Sequence, residues 1–268
     1  MLGAESQTIS VVLEGFVTVT PDPPECPRVA GYDESMVNAI PLVLLPGLLC
    51  DAALWRSQTE DLADLARIMV ADLTRDDSMP AMARRVLAEA PPRFALAGLS
   101  MGGYVAQEIL RQAPERVLRL ALLDTSARAD TPEQHERRLG LIELAEKGEF
   151  RGVTPRLLPL FLHPSRLDDR RLTSEVEAMA ARVGKDAFLR QQRAIIGRID
   201  GRPSLAAIAC PTLVLCGRED ALTPLALHEE MAGLIRGARL EIIEECGHLA
   251  TMERSWEVSV ALRQWLTE

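Results

Sequence analysis

This sequence predicts an α/β fold: a mostly parallel central sheet with helices on both faces and a helical cap inserted late in the chain. Three observations carry that expectation. From about Ile40 onward, short apolar runs alternate with longer amphipathic patterns, the rhythm of strands joined by crossover helices. Several of the runs are apolar almost throughout, as strands covered on both faces are. Between about 128 and 203 the strand signals stop and charged helical patterns take over.

Taken in chain order, residues 1–39 come first, as an N-terminal extension or edge strands. Thr8–Thr20 alternates in part (Ile9, Val11, Leu13, then Val17, Val19), and the turn-rich PDPPECP follows it. The strand candidates are Pro41–Leu45, Arg67–Ala71, Phe94–Ala97, Arg119–Leu123, Thr212–Cys216 and Arg239–Glu244. Between them, Ala81–Ala90, Tyr104–Gln112, Leu225–Leu234 and Trp256–Leu266 have helical periodicity. The insertion contributes Glu133–Lys147 and Thr173–Ile196. The expected division is therefore a core of 40–127 and 204–268 with a cap over 128–203.

Composition narrows the function. The chain has 268 residues, 47% hydrophobic and 26% charged, enough for one large domain with a sizeable core. Its net charge is -9, with both signs interspersed, and it lacks the basic stripe that nucleic acid requires. The longest uncharged stretch, near Met36 to Cys50, holds two prolines and is shorter than the roughly 18 apolar residues of a membrane span. MLGAESQTIS lacks the basic start and apolar block of a secretory leader, so a cytoplasmic location is expected. Five cysteines (Cys26, Cys50, Cys210, Cys216, Cys246) form no C-x-x-C pair and no zinc-like spacing, so reduced thiols and no metal are expected.

The segment FALAGLSMGGYVAQ, Phe94 to Gln107, concentrates the chemistry. An apolar run, then Gly98-Leu99-Ser100-Met101-Gly102, then a helical pattern, matches the G-x-S-x-G nucleophile elbow in its structural context. Such a bend excludes bulky neighbours, and Gly98, Gly102 and Gly103 supply the space. It lifts the Ser100 hydroxyl out at the carboxyl end of a strand.

A serine hydroxyl needs a base, and the base needs an orienting carboxylate. Of the four histidines, His248 follows the last strand candidate at the same sheet end as Ser100. His135 and His163 fall in the insertion and His228 inside a helix, where solvation or packing explains them. Asp220, after Thr212–Cys216, is the preferred carboxylate. Its neighbour Glu219 should point away from it, and Asp124, ending Arg119–Leu123, is the competitor.

The order Ser, acid, His and the segments LVLLPGLLCDAALW, LAGLSMGGYVA, PTLVLCGREDALTP and IIEECGHLATMERSWEV together resemble the α/β-hydrolase superfamily over most of the chain from Ile40. The usual His-Gly after the first central strand is Pro46-Gly47 here. The resemblance implies an oxyanion hole from the amides of Leu48 and Met101, and acyl transfer with no metal or organic cofactor. It implies a small-molecule carboxylic ester or lactone as substrate. Carbon–carbon hydrolysis, lyase or perhydrolase chemistry on the same site is the alternative, and a non-catalytic binding protein the remote one. Leu122–Arg138 is similar to the corresponding stretch of 3-oxoadipate enol-lactonases. Arg193 and Arg198 are candidates to meet a substrate carboxylate, against solvent-facing positions on a helix. Aspartate at the elbow, the mark of epoxide hydrolases and haloalkane dehalogenases, is absent. Oligomeric state is not legible.

Overall fold

In the computed structural model, residues 39–268 are described. The extension expected over 1–39 therefore lies outside the described residues, apart from Ala39. Six strands form one parallel sheet: β1 Ile40–Leu45, β2 Ala66–Val70, β3 Phe94–Leu99, β4 Val117–Leu123, β5 Thr212–Gly217 and β6 Arg239–Ile243. Their order across the sheet is β2-β1-β3-β4-β5-β6. The chain runs outward from β1 to β2 and then returns past β1 to β3. The crevice beyond the carboxyl ends of β1 and β3 is thus the switch point where open parallel sheets bind ligands.

The helices are α1 Arg56–Asp61, α2 Met79–Glu89, α3 Met101–Gln112, α4 Pro132–Leu144, α5 Leu158–Phe161, α6 Arg170–Ile196, α7 Arg202–Leu205, α8 Leu225–Leu234, α9 Ala250–Glu253 and α10 Ser255–Thr267. Side chains alternate along each strand between two cores. Leu42, Leu44, Ala97, Leu99 and Leu215 face a core that includes Leu262 and Trp265 of α10. Val43, Leu45, Leu96, Leu122 and Val214 face the other, with Met82 of α2, Val105 and Ile109 of α3, and Met231 of α8. At about 25 cal/mol per Å² of apolar area, each buried leucine contributes on the order of 2 kcal/mol.

Between β4 and β5, residues 128–203 contain helices and no strand. A Thr131/Gln134 capping box and Pro132 start α4. Gly184, at φ 76°, breaks α6. Its first half adds Leu172, Val176 and Met179 to one core, and its second adds Ala194 and Ile195 to the other. The broken helix therefore reaches both faces of the sheet.

The six strand candidates correspond to the six strands within a few residues. In the insertion, α4 ends at Leu144 and α6 starts at Arg170, each three residues from expectation, and around Ser100 β3 continues to Leu99 while α3 begins at Met101, three residues before the expected helix start. One residue in an unusual backbone conformation makes that whole turn. The short helices α1, α5, α7 and α9 have too few residues for a periodicity to register. The described Cys50, Cys210, Cys216 and Cys246 are free thiols. Among the described residues, no helix is long and apolar enough to cross a membrane.

Candidate active site

Ser100 occupies the bend between β3 and α3 at φ 54° and ψ -116°, a conformation that costs a non-glycine residue roughly 1–3 kcal/mol. The surroundings enforce it. The Ser100 amide donates to the Leu123 carbonyl at 3.0 Å, and the Ser100 carbonyl accepts from the Gly103 amide at 2.9 Å and the Thr125 hydroxyl at 2.7 Å. A Cβ on Gly98 would run into the Gly102 backbone, and one on Gly102 into the Leu45 carbonyl. Only glycine lets α3 approach β1 and β3 this closely.

His248 lies between β6 and α9 with its ring turned to the bend. Its Nε2 is 2.9 Å from Ser100 Oγ, and its Nδ1 is 2.8 Å from Asp220 Oδ2. A carboxylate only accepts, so Nδ1 carries a hydrogen and Nε2 is left to accept from the serine. The imidazole and the carboxylate are both essentially buried. Asp220 Oδ1 also accepts from the amides of Leu222 at 2.8 Å and Thr223 at 2.9 Å, and the Thr223 hydroxyl donates to Oδ2 at 2.5 Å. Burial opposes ionisation of Asp220, but the His248 charge and the bonds from His248 and Thr223 outweigh it and hold the carboxyl below its ordinary range.

The competing carboxylate is engaged elsewhere. Asp124 is buried, and its oxygens accept from the amides of Gly217 at 2.9 Å and Ala250 at 3.3 Å. Burial, reinforced by the charge of Asp220, pushes its pKa well up. It ties the end of β4 to the segments carrying Asp220 and His248 and does not meet the imidazole. Glu219 turns away to accept from the Cys246 amide at 3.1 Å.

The other histidines are placed variously. His228 is completely buried in α8 and accepts from the Thr125 amide at 2.9 Å through Nε2, while desolvation lowers its pKa to about 4. His163 pairs with Ser165, and His135 is half-buried in α4. Asp124, Asp220 and His228 bring ligand-type atoms within 4.8 Å of one another, yet each already has a partner in the chain. Arg193 pairs with Glu146, and Arg198 is bound to Asp130 and lies over the Tyr104 ring at 4.3 Å. The Arg198 guanidinium is buried against groups of the chain itself, whereas Arg193 is a solvent-facing position with one carboxylate contact.

The loop after β1 passes beside Ser100: a Cβ on Gly47 would sit 3.5 Å from Ser100 Cβ. Among the described residues, the amides of Leu48 and Met101 donate to no protein group, whereas those of Leu49, Cys50 and Ser100 do. Leu48 is half-buried and packs against a small apolar cluster that includes Leu49, Ala180 and Phe188.

Two supporting residues carried no specific sequence signal. Glu253 is buried and accepts from the amides of Gly247 at 3.0 Å, Leu249 at 3.3 Å and His163 at 2.7 Å. Gln191 accepts from the Leu49 amide at 3.1 Å. Glu253 follows His248 by five residues, a hint that spacing alone leaves unspecific, while Gln191 is 142 residues from its partner.

Comparison with known proteins agrees with this architecture. A family model described as alpha/beta hydrolase fold matches residues 40–255. A pimeloyl-(acyl-carrier protein) methyl ester esterase of Nitrosomonas europaea is 29% identical over 232 residues, 80% of this chain and 91% of the relative. Among solved structures, a thermophilic esterase from Thermogutta terrifontis superposes with a TM-score of 0.77 at 30% identity, covering 86% of this chain and 90% of that one. The enol-lactonase of Burkholderia xenovorans LB400 shares the fold, with a TM-score of 0.78 at 24% identity, covering 86% of this chain and 92% of its own.

Proposed function

The chain belongs to the α/β-hydrolase family and is a hydrolase, and we propose that it cleaves a carboxylic ester or lactone of a small molecule through an acyl-enzyme on Ser100. One observation carries the proposal: the unbroken relay from Ser100 Oγ to His248 Nε2 at 2.9 Å and from His248 Nδ1 to Asp220 Oδ2 at 2.8 Å. A hydroxyl is a weak nucleophile until a base takes its proton during attack.

In the first half-reaction, Ser100 Oγ attacks the carbonyl carbon and His248 Nε2 receives the hydroxyl proton. Asp220, held ionised, stabilises the imidazolium that results. The carbonyl oxygen becomes an oxyanion and takes hydrogen bonds from the amides of Leu48 and Met101, worth several kcal/mol when aimed in advance. Collapse expels the alcohol, which takes the proton from His248. In the second half, water gives a proton to His248 and attacks the acyl carbon, and the carboxylic acid leaves as Ser100 regains its hydrogen.

Residues 128–203 act in this proposal as a cap. The contacts of Leu48 and Leu49 with Ala180 and Phe188 support an apolar wall close to the oxyanion loop, which suits a compact acyl group.

Steady-state hydrolysis of a panel of p-nitrophenyl esters, methyl esters, lactones and vinylogous diketones tests the proposal. Methyl esters belong in it because the Nitrosomonas relative is named as a methyl ester esterase. Turnover of an ester or lactone by the wild type, lost in Ser100→Ala with folding retained, is expected. Preference for the diketones would reassign the site to carbon–carbon cleavage.

A further inference from the structure

We infer that Gln191, on the second half of α6, is a positioning residue for the oxyanion loop, an inference that rests on the acyl-transfer reading of the site. Its side chain is completely buried yet fully engaged. Oε1 accepts from the Leu49 amide at 3.1 Å, and Nε2 donates to the Leu73 carbonyl at 3.2 Å. One amide group thus joins the cap helix to the segments that follow β1 and β2.

The bond to Leu49 falls where the backbone most needs it. Leu49 has a φ of 59°, left-handed space that a leucine enters only under constraint. The Cys50 amide donates to the Gly47 carbonyl at 3.2 Å and closes the stretch Gly47–Cys50 into a tight turn. With the turn closed by that bond, a change in the φ of Leu49 passes first to the dihedrals of Leu48, the residue whose N–H is the proposed donor.

Without Gln191, the Leu49 amide is a buried donor with no partner, and relaxation is the route to a new one. An oxyanion donor works only if its direction is set before charge develops. The cap therefore touches catalysis through a hydrogen bond that never meets the substrate. Its effect belongs in kcat and leaves KM nearly unchanged.

The test compares wild type with Gln191→Met, Gln191→Asn and Gln191→Glu. Met keeps the volume and Asn withdraws the acceptor by one methylene. Glu, assayed at pH 6 where a buried carboxyl holds its proton, keeps both an acceptor and a donor. The readouts are kcat and KM for a p-nitrophenyl ester, the rate of Ser100 labelling by a fluorophosphonate, and thermal unfolding. In Met and Asn, kcat and labelling rate should fall together by about 10- to 100-fold with KM within about threefold, while Glu recovers most of the rate. Asn serves if Met does not fold. A purely structural role would lower the unfolding temperature and leave kcat and labelling of the folded fraction unchanged, which overturns the inference. Equal losses in Met, Asn and Glu would also overturn it. Failure of the wild type to label at Ser100 would instead remove the acyl-transfer reading itself.

Discussion

The main-chain carbonyl of Phe161 accepts a hydrogen bond from the amide of His248 at 2.9 Å, and a second from Leu249 at 3.2 Å. Phe161 ends α5, inside the helical excursion between β4 and β5, so the loop carrying the proposed base is anchored to a distant part of the chain. Glu253 reinforces the junction by accepting from Gly247, Leu249 and, across the same seam, His163. The base therefore depends for its position on the sheet behind it and on the helices beside it.

Replacing Glu253 by Gln tests that junction. Both carboxylate oxygens accept from amides, so one of those amides would face an NH₂ group instead. The expected cost is roughly 1–3 kcal/mol of stability for a buried donor left unpaired, with kcat reduced about tenfold. Thermal unfolding and ester turnover on the same preparation report the two effects. Unchanged values for both would show that the seam does not position His248.

Asp220→Asn should leave the fold intact and lower kcat by on the order of 10³- to 10⁴-fold. An amide cannot stabilise the imidazolium and can favour the wrong tautomer. The stability difference between wild type and variant should depend on pH in a defined direction. The folded-state pKa of Asp220 lies below its usual value, so its contribution is fully present above the ordinary carboxylate range and is lost as pH falls from that range through the lowered folded-state value. Denaturant titrations of both proteins across the acid range measure this. A difference that grows towards acid would contradict it.

His228 predicts a second pH effect. Desolvation lowers its pKa from 6.5 to about 4, so below pH 6.5 the unfolded chain binds a proton that the folded chain refuses. Stability should fall between pH 6.5 and 4, by roughly 3 kcal/mol at most from this group at 1.36 kcal/mol per unit. His228→Gln keeps an acceptor for the Thr125 amide without titrating. Urea midpoints measured at both ends of this window should therefore shift less in the variant than in the wild type.

Gly102→Ala should prevent correct folding or lower the unfolding temperature sharply. The added Cβ would press on the carbonyl of Leu45, and backbone cannot rotate away as a side chain can. Gly140→Ala is the control, because nothing lies within 4 Å of its would-be Cβ. Similar soluble yield and unfolding temperature for the two variants would argue against close packing of α3 on β1.

Much of this was legible in the sequence because it is written locally. Apolar runs such as Thr212–Cys216 announce buried strands, and the glycines around Ser100 announce a bend that few residues permit. Asp220 over Asp124 was a preference that local pattern alone cannot settle, since both follow strands. It is the amides of Gly217 and Ala250, contributed by other segments, that occupy Asp124. Arg193 and Arg198 were ambiguous for the same reason, their partners Glu146 and Asp130 lying 47 and 68 residues away (193 − 146; 198 − 130). Gln191 and Glu253 were invisible, because a buried polar side chain acquires its role only from the backbone that the fold sets against it.

Acyl transfer through Ser100 is read from the mass of the Ser100 peptide after a slowly hydrolysed ester is mixed with the protein and the reaction is stopped in acid. An acyl-enzyme on Ser100 places the acyl mass on the peptide carrying Ser100, transiently in the wild type and never in Ser100→Ala. Ester turnover at the wild-type rate by Ser100→Ala, or an acyl group found on another residue during turnover, would contradict it.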